Sequence, residues 1–417
     1  MYTNFDTGGL SVGLTLMVLV FSLGPISGAH LNPAVSTTIL FSKHMDFKSF
    51  VVYVLSQLLG ACMASALYFF GLLGSLGSEA SVASGDLGKA LMAEFFFTLM
   101  LCEVVLHVAV ADSSQGRQYF GMAIGFVLTV GAECVGGVSG ACFNPAVVLS
   151  FLFQQKYFPW TWFISYIVVE VVAAVLGAVL FKLKLNELGF LSKHEPVRKA
   201  LAEFLGTFFL ALAICLSPSG LLGVLIKGAA LTALVYAYAN VSGSHFNPAV
   251  SLVMFLNGTL NVVELGYYVL TQIISALLAF EAAHYIKGGE WKLVAGEGTT
   301  TLQEMLGEAF GTFVLVFTIC SVTKSDYLSD HFGWAIGVSL MAGAGSQGSI
   351  SGGSLNPCVT FAAAVGYPLK KYAYMWYVFA ELVGAVAAWA VFKYVNTESL
   401  FNSDPEKARQ VEEPLLA

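Results

Sequence analysis

Charged residues are scarce in this 417-residue sequence. Only 11 % of its residues are Asp, Glu, Lys or Arg, whereas a typical soluble domain has about 25 %. Hydrophobic residues make up 57 %, and the mean hydropathy is +0.77. So few charges cannot solvate a globular surface of this size, and a net charge of -7 lacks the basic surplus that nucleic-acid binding requires. The composition therefore excludes disordered and nucleic-acid-binding proteins and predicts a multi-pass integral membrane protein.

Motifs for covalent, metal or cofactor chemistry are also missing from the sequence. The seven cysteines lie mostly in apolar segments without paired spacing, which argues against a disulfide framework and a zinc site. The histidines show no His-x-x-x-His spacing, and no nucleophile motif or phosphate-binding glycine loop is present. We therefore expect neither an enzyme nor a protein with a metal or cofactor.

What the sequence does contain is a series of long apolar runs. A helix needs about 20 apolar residues to cross the hydrocarbon core of a membrane. The first run lacks the basic segment and the cleavage site of a signal peptide, so we interpret it as a retained span. The sequence does not distinguish the plasma membrane from an internal membrane. Eleven spans are predicted, near residues 10–26, 49–73, 89–111, 119–136, 159–181, 200–217, 221–240, 262–285, 304–322, 332–346 and 372–395.

A short Asn-Pro motif recurs four times between these runs. The first two copies are 144 − 32 = 112 residues apart and the last two are 356 − 247 = 109 apart. This spacing predicts two units, each built from two halves of three spans, and an odd number of spans inverts alternate halves in the membrane. The copies are Asn32-Pro33-Ala34, Asn144-Pro145-Ala146, Asn247-Pro248-Ala249 and Asn356-Pro357-Cys358.

Each motif is suited to start a short helix inside the membrane. Asn is a good N-cap and Pro is favoured at the first helical position. The apolar run that follows has only about ten residues, which is too short to span. Two such half-helices would direct their positive dipole ends at one point, where they repel cations while the Asn amides donate to a neutral solute.

The four Asn-Pro motifs and the Ala-Glu-Phe-Leu-Gly-Thr-Phe segment at 202–208 resemble the aquaporin family, the major intrinsic proteins. The sequence resembles a tandem fusion of two members of that family. The resemblance implies an all-α membrane protein. Two right-handed helical bundles with inverted repeats would contain eleven spans and four re-entrant half-helices. The implied domains are a unit at 1–183 that lacks the family's first helix, a cytoplasmic linker at 184–199, a complete unit at 200–396 and a polar cytoplasmic tail at 397–417.

The same resemblance locates a selectivity filter in which this sequence departs from the family. Neither unit carries the usual Arg, His or aromatic residue of the constriction. Small apolar residues should widen it and weaken its hydrogen bonding, so that urea, glycerol, ammonia or peroxide could pass beside water. The mapped positions are Val12, Ala132, Ala141 and Val147 in the first unit and Lys227, Ala344, Gly353 and Val359 in the second.

Ionisable residues inside the spans leave some alternatives open. Lys227 could enter the second pore and replace the missing Arg, or it could extend to the nearby membrane interface. By resemblance, Glu94, Glu203 and Glu308 hold the re-entrant loops in place. Glu170 and Glu381 suggest the same role, although a role in conduction is also open. Glu133 could face the first pore or a neighbouring helix.

Three functions compete at this stage. The favoured one is a passive channel for water and small neutral solutes. The second is a structural or assembly subunit in which one barrel, the first, does not conduct. A secondary transporter is disfavoured because no charged site converges at the midplane. The expected partners are membrane lipids, the solutes and a second copy of the chain, because family members form tetramers and two tandem chains would give a pseudo-tetramer.

Overall fold

A computed structural model describes residues 8–69, 85–114, 116–154, 159–185, 194–289, 291–324, 330–366 and 373–396. All regular secondary structure in these ranges is helical. The helices are α1 Gly8–Ser27, α2 Pro33–Phe41, α3 Phe47–Phe69, α4 Leu87–Val105, α5 Phe120–Ser139, α6 Pro145–Gln154, α7 Trp160–Lys184, α8 Glu195–Leu216, α9 Gly220–Ser242, α10 Pro248–Leu256, α11 Val262–Lys287, α12 Thr301–Lys324, α13 Phe332–Gln347, α14 Pro357–Gly366 and α15 Ala373–Val395.

The long helices coincide with the eleven predicted spans. Within the described residues, ten helices are long and apolar enough to cross a membrane. The remaining long helix, α13, has 16 residues and lies where the span at 332–346 is predicted. It packs against α9 and α12. At its contact with α9, a Cβ added to Gly337 would lie 2.5 Å from the carbonyl oxygen of Gly228, so the two backbones approach closely.

The two units repeat one packing pattern. In the first unit α1 packs against α5, and α4 packs against α7. The equivalent pairs in the second unit are α9 with α13 and α12 with α15. The half-helices α2, α6, α10 and α14 pack between the long helices. The second unit has one further helix, α8, which packs on α9 and α11. In the described part of the chain, no helix occupies the equivalent place beside α1 and α3.

Helices α4 and α5 of the first unit pack against α8 and α9 of the second. Two aromatic pairs mark this interface: Phe96 lies 4.8 Å from Phe208 between ring centroids, and Tyr119 stacks on Tyr236 at 4.1 Å. Between the units α7 ends at Lys184 and α8 begins at Glu195, both within the range 184–199 that is expected to form the linker. The expected tail at 397–417 lies outside the described residues.

Candidate pore site

The four motif asparagines tie the half-helices together in pairs. In each unit, the side-chain amide nitrogen of one Asn donates to the backbone carbonyl that precedes the other Asn. In the second unit Asn247 donates to Leu355 at 2.8 Å and Asn356 donates to Phe246 at 2.9 Å. The first unit has the same exchange, from Asn32 to Phe143 at 2.7 Å and from Asn144 to Leu31 at 3.0 Å. The predicted meeting of half-helix N-termini is thus present in both units.

Local geometry explains why the sequence repeats Asn-Pro at these points. The side-chain oxygen of each Asn accepts the backbone N–H two residues later, at 2.8 to 3.2 Å, and Pro begins each half-helix. One amide hydrogen of each Asn makes the cross-loop bond, and the second has no acceptor among the described residues.

The residue before each Asn adopts the left-handed region of backbone space. The φ angles are +53° for Leu31, +49° for Phe143, +50° for Phe246 and +53° for Leu355. Bulky residues rarely adopt this conformation, which needs support from the surrounding structure. Here the carbonyl of each of these residues accepts the cross-loop hydrogen bond, so the unusual φ belongs to the geometry that joins the half-helices.

Buried glutamates hold the loops from behind. Glu94 accepts the backbone N–H groups of Cys142 and Phe143 at 3.0 and 2.7 Å. Glu308 accepts those of Ser354 and Leu355 at 3.1 and 2.8 Å.

Glu203 holds the loop before Asn247 through both carboxylate oxygens. One carboxylate oxygen accepts from Ser242 and the backbone of His245, and the other accepts from the backbone of Phe246 and the side chain of Gln272, all within 2.7 to 2.9 Å. These contacts are the ones that a loop-supporting role requires.

Three further acidic side chains, which the sequence left without a definite role, accept hydrogen bonds from backbone N–H groups. Glu170 accepts the backbone N–H of Asn144 at 3.1 Å, and Glu381 accepts that of Asn356 at 3.0 Å and the hydroxyl of Thr360 at 2.8 Å. Glu133 accepts the backbone N–H of Leu10 at 2.9 Å, in the first turn of α1. Of the alternatives left open by the sequence, these distances favour loop and helix contacts.

The cavities of the two units differ greatly in size. The first unit contains a cavity of about 1010 Å³ that reaches both Asn32 and Asn144. The second contains one of about 20 Å³ that reaches Asn247 and Asn356. A cavity of this smaller size holds about one water molecule. Its wall includes aliphatic side chains from four helices, namely Leu210 and Ile214 of α8, Leu231 of α9, Leu315 and Ile319 of α12, and Ile336 and Leu340 of α13.

Comparison with known proteins identifies this arrangement. The family model described as "Major intrinsic protein" matches residues 2–127, 83–217, 190–331 and 327–414, which together cover nearly the whole chain. The chain belongs to the major intrinsic protein family. It is a tandem member of that family, an integral multi-pass membrane protein and a passive channel for water or small solutes rather than an enzyme.

Individual relatives match about half of this tandem chain. Aquaporin NIP1-1 of Zea mays is 35 % identical over 211 residues, which are 46 % of this chain and 73 % of that protein. The glycerol uptake facilitator protein-like 6 of Lactiplantibacillus plantarum is 32 % identical over 215 residues, 48 % of this chain and 100 % of the relative. A solved structure of the aquaglyceroporin from Plasmodium falciparum aligns with a TM-score of 0.41 at 19 % identity, covering 47 % of this chain and 95 % of that one.

The filter positions mapped from the sequence have different surroundings in the two major intrinsic protein units. In the first unit Val12, Ala141 and Val147 line the large cavity and Ala132 does not. In the second, none of the four positions lines the small cavity.

The second-unit filter positions are packed to different degrees. Ala344 and Val359 are each only 2 % exposed. A Cβ on Gly353, whose φ is +63°, would lie 3.0 Å from the backbone of Ala344, so these two positions touch. Lys227 is half-buried on α9, and no carboxylate of the described residues lies within ion-pair distance of it.

A buried ionic cluster at the junction of the units was missed by the sequence analysis. Glu103 of α4 pairs with Lys184 at the end of α7 and accepts a hydrogen bond from Tyr238 of α9 at 2.9 Å, and His107 lies 3.7 Å away in a turn of π-helix. A glutamate inside an apolar span signals a buried partner. Glu103 carries that signal in the sequence, but the predicted linker at 184–199 includes its partner Lys184.

Proposed function

We propose that this tandem channel conducts water and small neutral solutes through its second unit. The observation that carries this proposal is the enclosure of the small cavity. Leu210 and Ile214 of α8 form one wall of it, opposite α12 and α13, and both motif asparagines reach it. A cavity with room for about one water, lined by aliphatic residues and two amide donors, suits solutes that need little hydrogen bonding from the wall.

The filter of this pore lacks the Arg of stricter family members. Ala344, Gly353 and Val359 offer no side-chain hydrogen-bond donor or acceptor. The channel therefore discriminates between solutes by their size, at the narrow aliphatic section, rather than by hydrogen bonding at a polar constriction. We expect water and ammonia to pass most rapidly, urea and peroxide at intermediate rates, and glycerol, the largest of these solutes, most slowly.

A second proposal is that the barrel of the first unit does not conduct. The large cavity is lined by α1, α4, α5 and the two loops, and no described helix stands where α8 closes the second pore. A barrel with an open wall admits lipid chains from the side, and the first unit then serves as an assembly partner for the second.

A homodimer is the proposed assembly. Phe96 contacts Phe208 between the units of one chain, whereas its counterpart Phe310, at 96 + 214, is 59 % exposed on α12. We expect a particle of two chains in mild detergent, because the face of the second unit that carries Phe310 is uncovered in the described part of the chain. Substituting Phe310→Lys should shift the particle to one chain in light-scattering mass measurement. A single-chain or four-chain mass for the unmodified protein would contradict the dimer.

Stopped-flow swelling of proteoliposomes tests the channel itself. The full chain should raise water permeability several-fold over protein-free liposomes, with a linear and non-saturable dependence on solute gradient. Urea and glycerol are measured in the same vesicles to rank solute size. Permeability equal to that of empty liposomes would contradict a channel function, and saturable uptake coupled to an ion gradient would indicate a transporter.

Lys227 gives a separate test of the proposed filter. A positive charge at the second pore repels cations, so Lys227→Ala should raise proton or sodium leak several-fold while the fold is kept. Val12→Ala, at the equivalent position of the first unit, is the matched control and should leave the leak unchanged. An unaltered leak in the Lys227→Ala vesicles would place the side chain at the membrane interface instead.

A further inference from the structure

Helix α13 of the second unit begins without a capping side chain of its own. Its first three residues are Phe332, Gly333 and Trp334, and in the described part of the chain the side chain of the preceding His331 makes no hydrogen bond to this first turn. The first backbone N–H groups of a helix lack partners within that helix, so they need an acceptor from elsewhere. With 16 residues, α13 is also the shortest of the long helices that the structure describes.

The hydroxyl group of Tyr236, on α9, supplies the acceptor. It accepts the backbone N–H of Trp334 at 3.1 Å and donates to the backbone carbonyl of Asp330 at 3.0 Å. The ring reaches the helix because Gly333 has no side chain: a Cβ added there would lie 2.7 Å from a ring carbon of Tyr236. One buried side chain therefore joins the first turn of α13 to the residues that precede it. We call this contact the α13 cap.

The first unit repeats this packing without the hydroxyl group. Phe21 of α1 occupies the place of Tyr236, since 236 − 215 = 21, and its ring lies 5.3 Å from that of Phe120 at the start of α5. Among the described residues, α5 also begins without a side-chain cap. The polar cap therefore belongs to the unit whose pore we propose to conduct.

A tyrosine of the first unit holds the α13 cap in place. Tyr119 stacks on Tyr236 with the ring centroids 4.1 Å apart and the planes 8° from parallel, and both rings are buried. Phe332 lies edge-on to the two rings, at 6.2 and 5.2 Å between centroids. Aromatic contacts of these kinds stabilise a structure beyond the area that they bury. Without Tyr119, one face of the Tyr236 ring would lose its contact.

An ion pair between the units reaches the same cap. Nη1 of Arg117, in the first unit, lies 3.0 Å from Oδ1 of Asp330, whose backbone carbonyl accepts the hydroxyl hydrogen of Tyr236. Both charged side chains are partly exposed, so the pair contributes little stability by itself. It nevertheless brings Arg117 and Tyr119, two residues of one short segment of the first unit, to the start of α13.

Helix α13 carries two of the aliphatic side chains that narrow the second pore. Ile336 and Leu340 line the cavity of about 20 Å³ that reaches both motif asparagines. Ile336 lies two residues after Trp334, whose N–H Tyr236 accepts. Helix ends fray where their backbone groups have no partner, and a frayed first turn would leave Ile336 free to move. Because pore diameter selects among neutral solutes, a mobile wall would admit larger ones.

We propose that the first unit sets the size discrimination of the second pore by holding the start of α13. This inference rests on the proposed conduction through the second unit. Tyr119 and Arg117 are positioning residues, because neither lines the second cavity and both act through the α13 cap. The first unit then contributes to the selectivity of the channel although its own barrel does not conduct.

The ratio of glycerol to water permeability, measured in proteoliposomes of the full chain, is the first readout. Tyr119→Leu removes the stacked ring and should raise this ratio at least threefold, because the wall at Ile336 becomes mobile. Tyr119→Phe keeps the ring and should leave the ratio unchanged. Tyr236→Phe removes the hydroxyl group alone, as in the natural Phe21 of the first unit, and should raise the ratio as well. A mere loss of folded protein lowers both permeabilities together and does not change their ratio.

A charge reversal tests the contact between the units. Arg117→Asp brings two acidic side chains together and should raise the ratio at least twofold, and the double variant Arg117→Asp/Asp330→Arg should restore it. Phe21→Leu alters the equivalent ring contact of the first unit and is the matched control, for which no change is expected. Hydrogen exchange of the segment 332–336 should be at least tenfold faster in Tyr119→Leu and Tyr236→Phe than in the unmodified chain.

Several results would overturn the inference. These are an unchanged ratio in Tyr119→Leu, an equal rise in Tyr119→Leu and Tyr119→Phe, no restoration in the double variant, or a rise in Tyr236→Phe alone, which would make the cap internal to the second unit. If the unmodified chain conducts neither solute, the proposed function fails. Unchanged hydrogen exchange at 332–336 in Tyr119→Leu would then show separately that the first unit does not hold α13.

Discussion

Replacing Glu203 by Gln is expected to destabilise the second unit strongly and to reduce its water permeability. Each carboxylate oxygen of Glu203 accepts two donors, Ser242 and His245 on one side and Phe246 and Gln272 on the other. Whichever way a Gln amide is turned, its NH₂ group faces one backbone N–H, that of His245 or Phe246, whereas the Ser242 hydroxyl or a flipped Gln272 amide can accept from it. A buried donor without an acceptor costs about 1–3 kcal/mol.

The functional consequence follows from the place of these donors in the chain. His245 and Phe246 directly precede Asn247, and the carbonyl of Phe246 receives the amide of Asn356. A shift of this loop therefore displaces both asparagines of the second pore. Thermal unfolding in detergent should show a melting temperature lower by several degrees, and the water permeability per folded protein should fall several-fold.

Glu281→Gln provides the matched control for this variant. Glu281 is exposed on α11, so the same loss of charge there should change neither the melting temperature nor the flux. If Glu203→Gln melted at the temperature of the unmodified protein, the carboxylate would not be the group that holds this loop.

The helical framework was predictable from the sequence because it depends on local patterns. Apolar length determined the spans, and Asn followed by Pro determined the starts of α2, α6, α10 and α14. The glutamates behind the loops came from the resemblance. Their partners could be anticipated because Glu94, Glu203 and Glu308 occupy equivalent places in a repeated pattern.

Contacts between distant segments were less accessible to sequence analysis. The pair of Glu103 and Lys184 joins residues 81 positions apart, and it depends on how α4 and α7 meet Tyr238 of the other unit. The difference between the two cavities follows from the wall that Leu210 and Ile214 of α8 supply to the second cavity, for which the first unit has no counterpart among the described residues.

A tryptophan in the second pore is expected to abolish water permeation, whereas the equivalent change in the first pore is not. Leu340 of α13 and Leu128 of α5 are equivalent, since 340 − 212 = 128 and the second motifs are also 212 residues apart. Each lines the cavity of its own unit. With about 20 Å³ free beside Leu340, room for about one water, an indole ring leaves no path.

The first cavity responds differently because about 1010 Å³ remains around Leu128. In swelling measurements Leu340→Trp should lower water permeability to the level of empty liposomes, and Leu128→Trp should leave it unchanged. Overpacking a helical core costs about 1–3 kcal/mol, so both variants are compared at equal folded amount after size-exclusion chromatography. Loss of flux in Leu128→Trp alone would assign conduction to the first unit, because only the pore that carries water is sensitive to being filled.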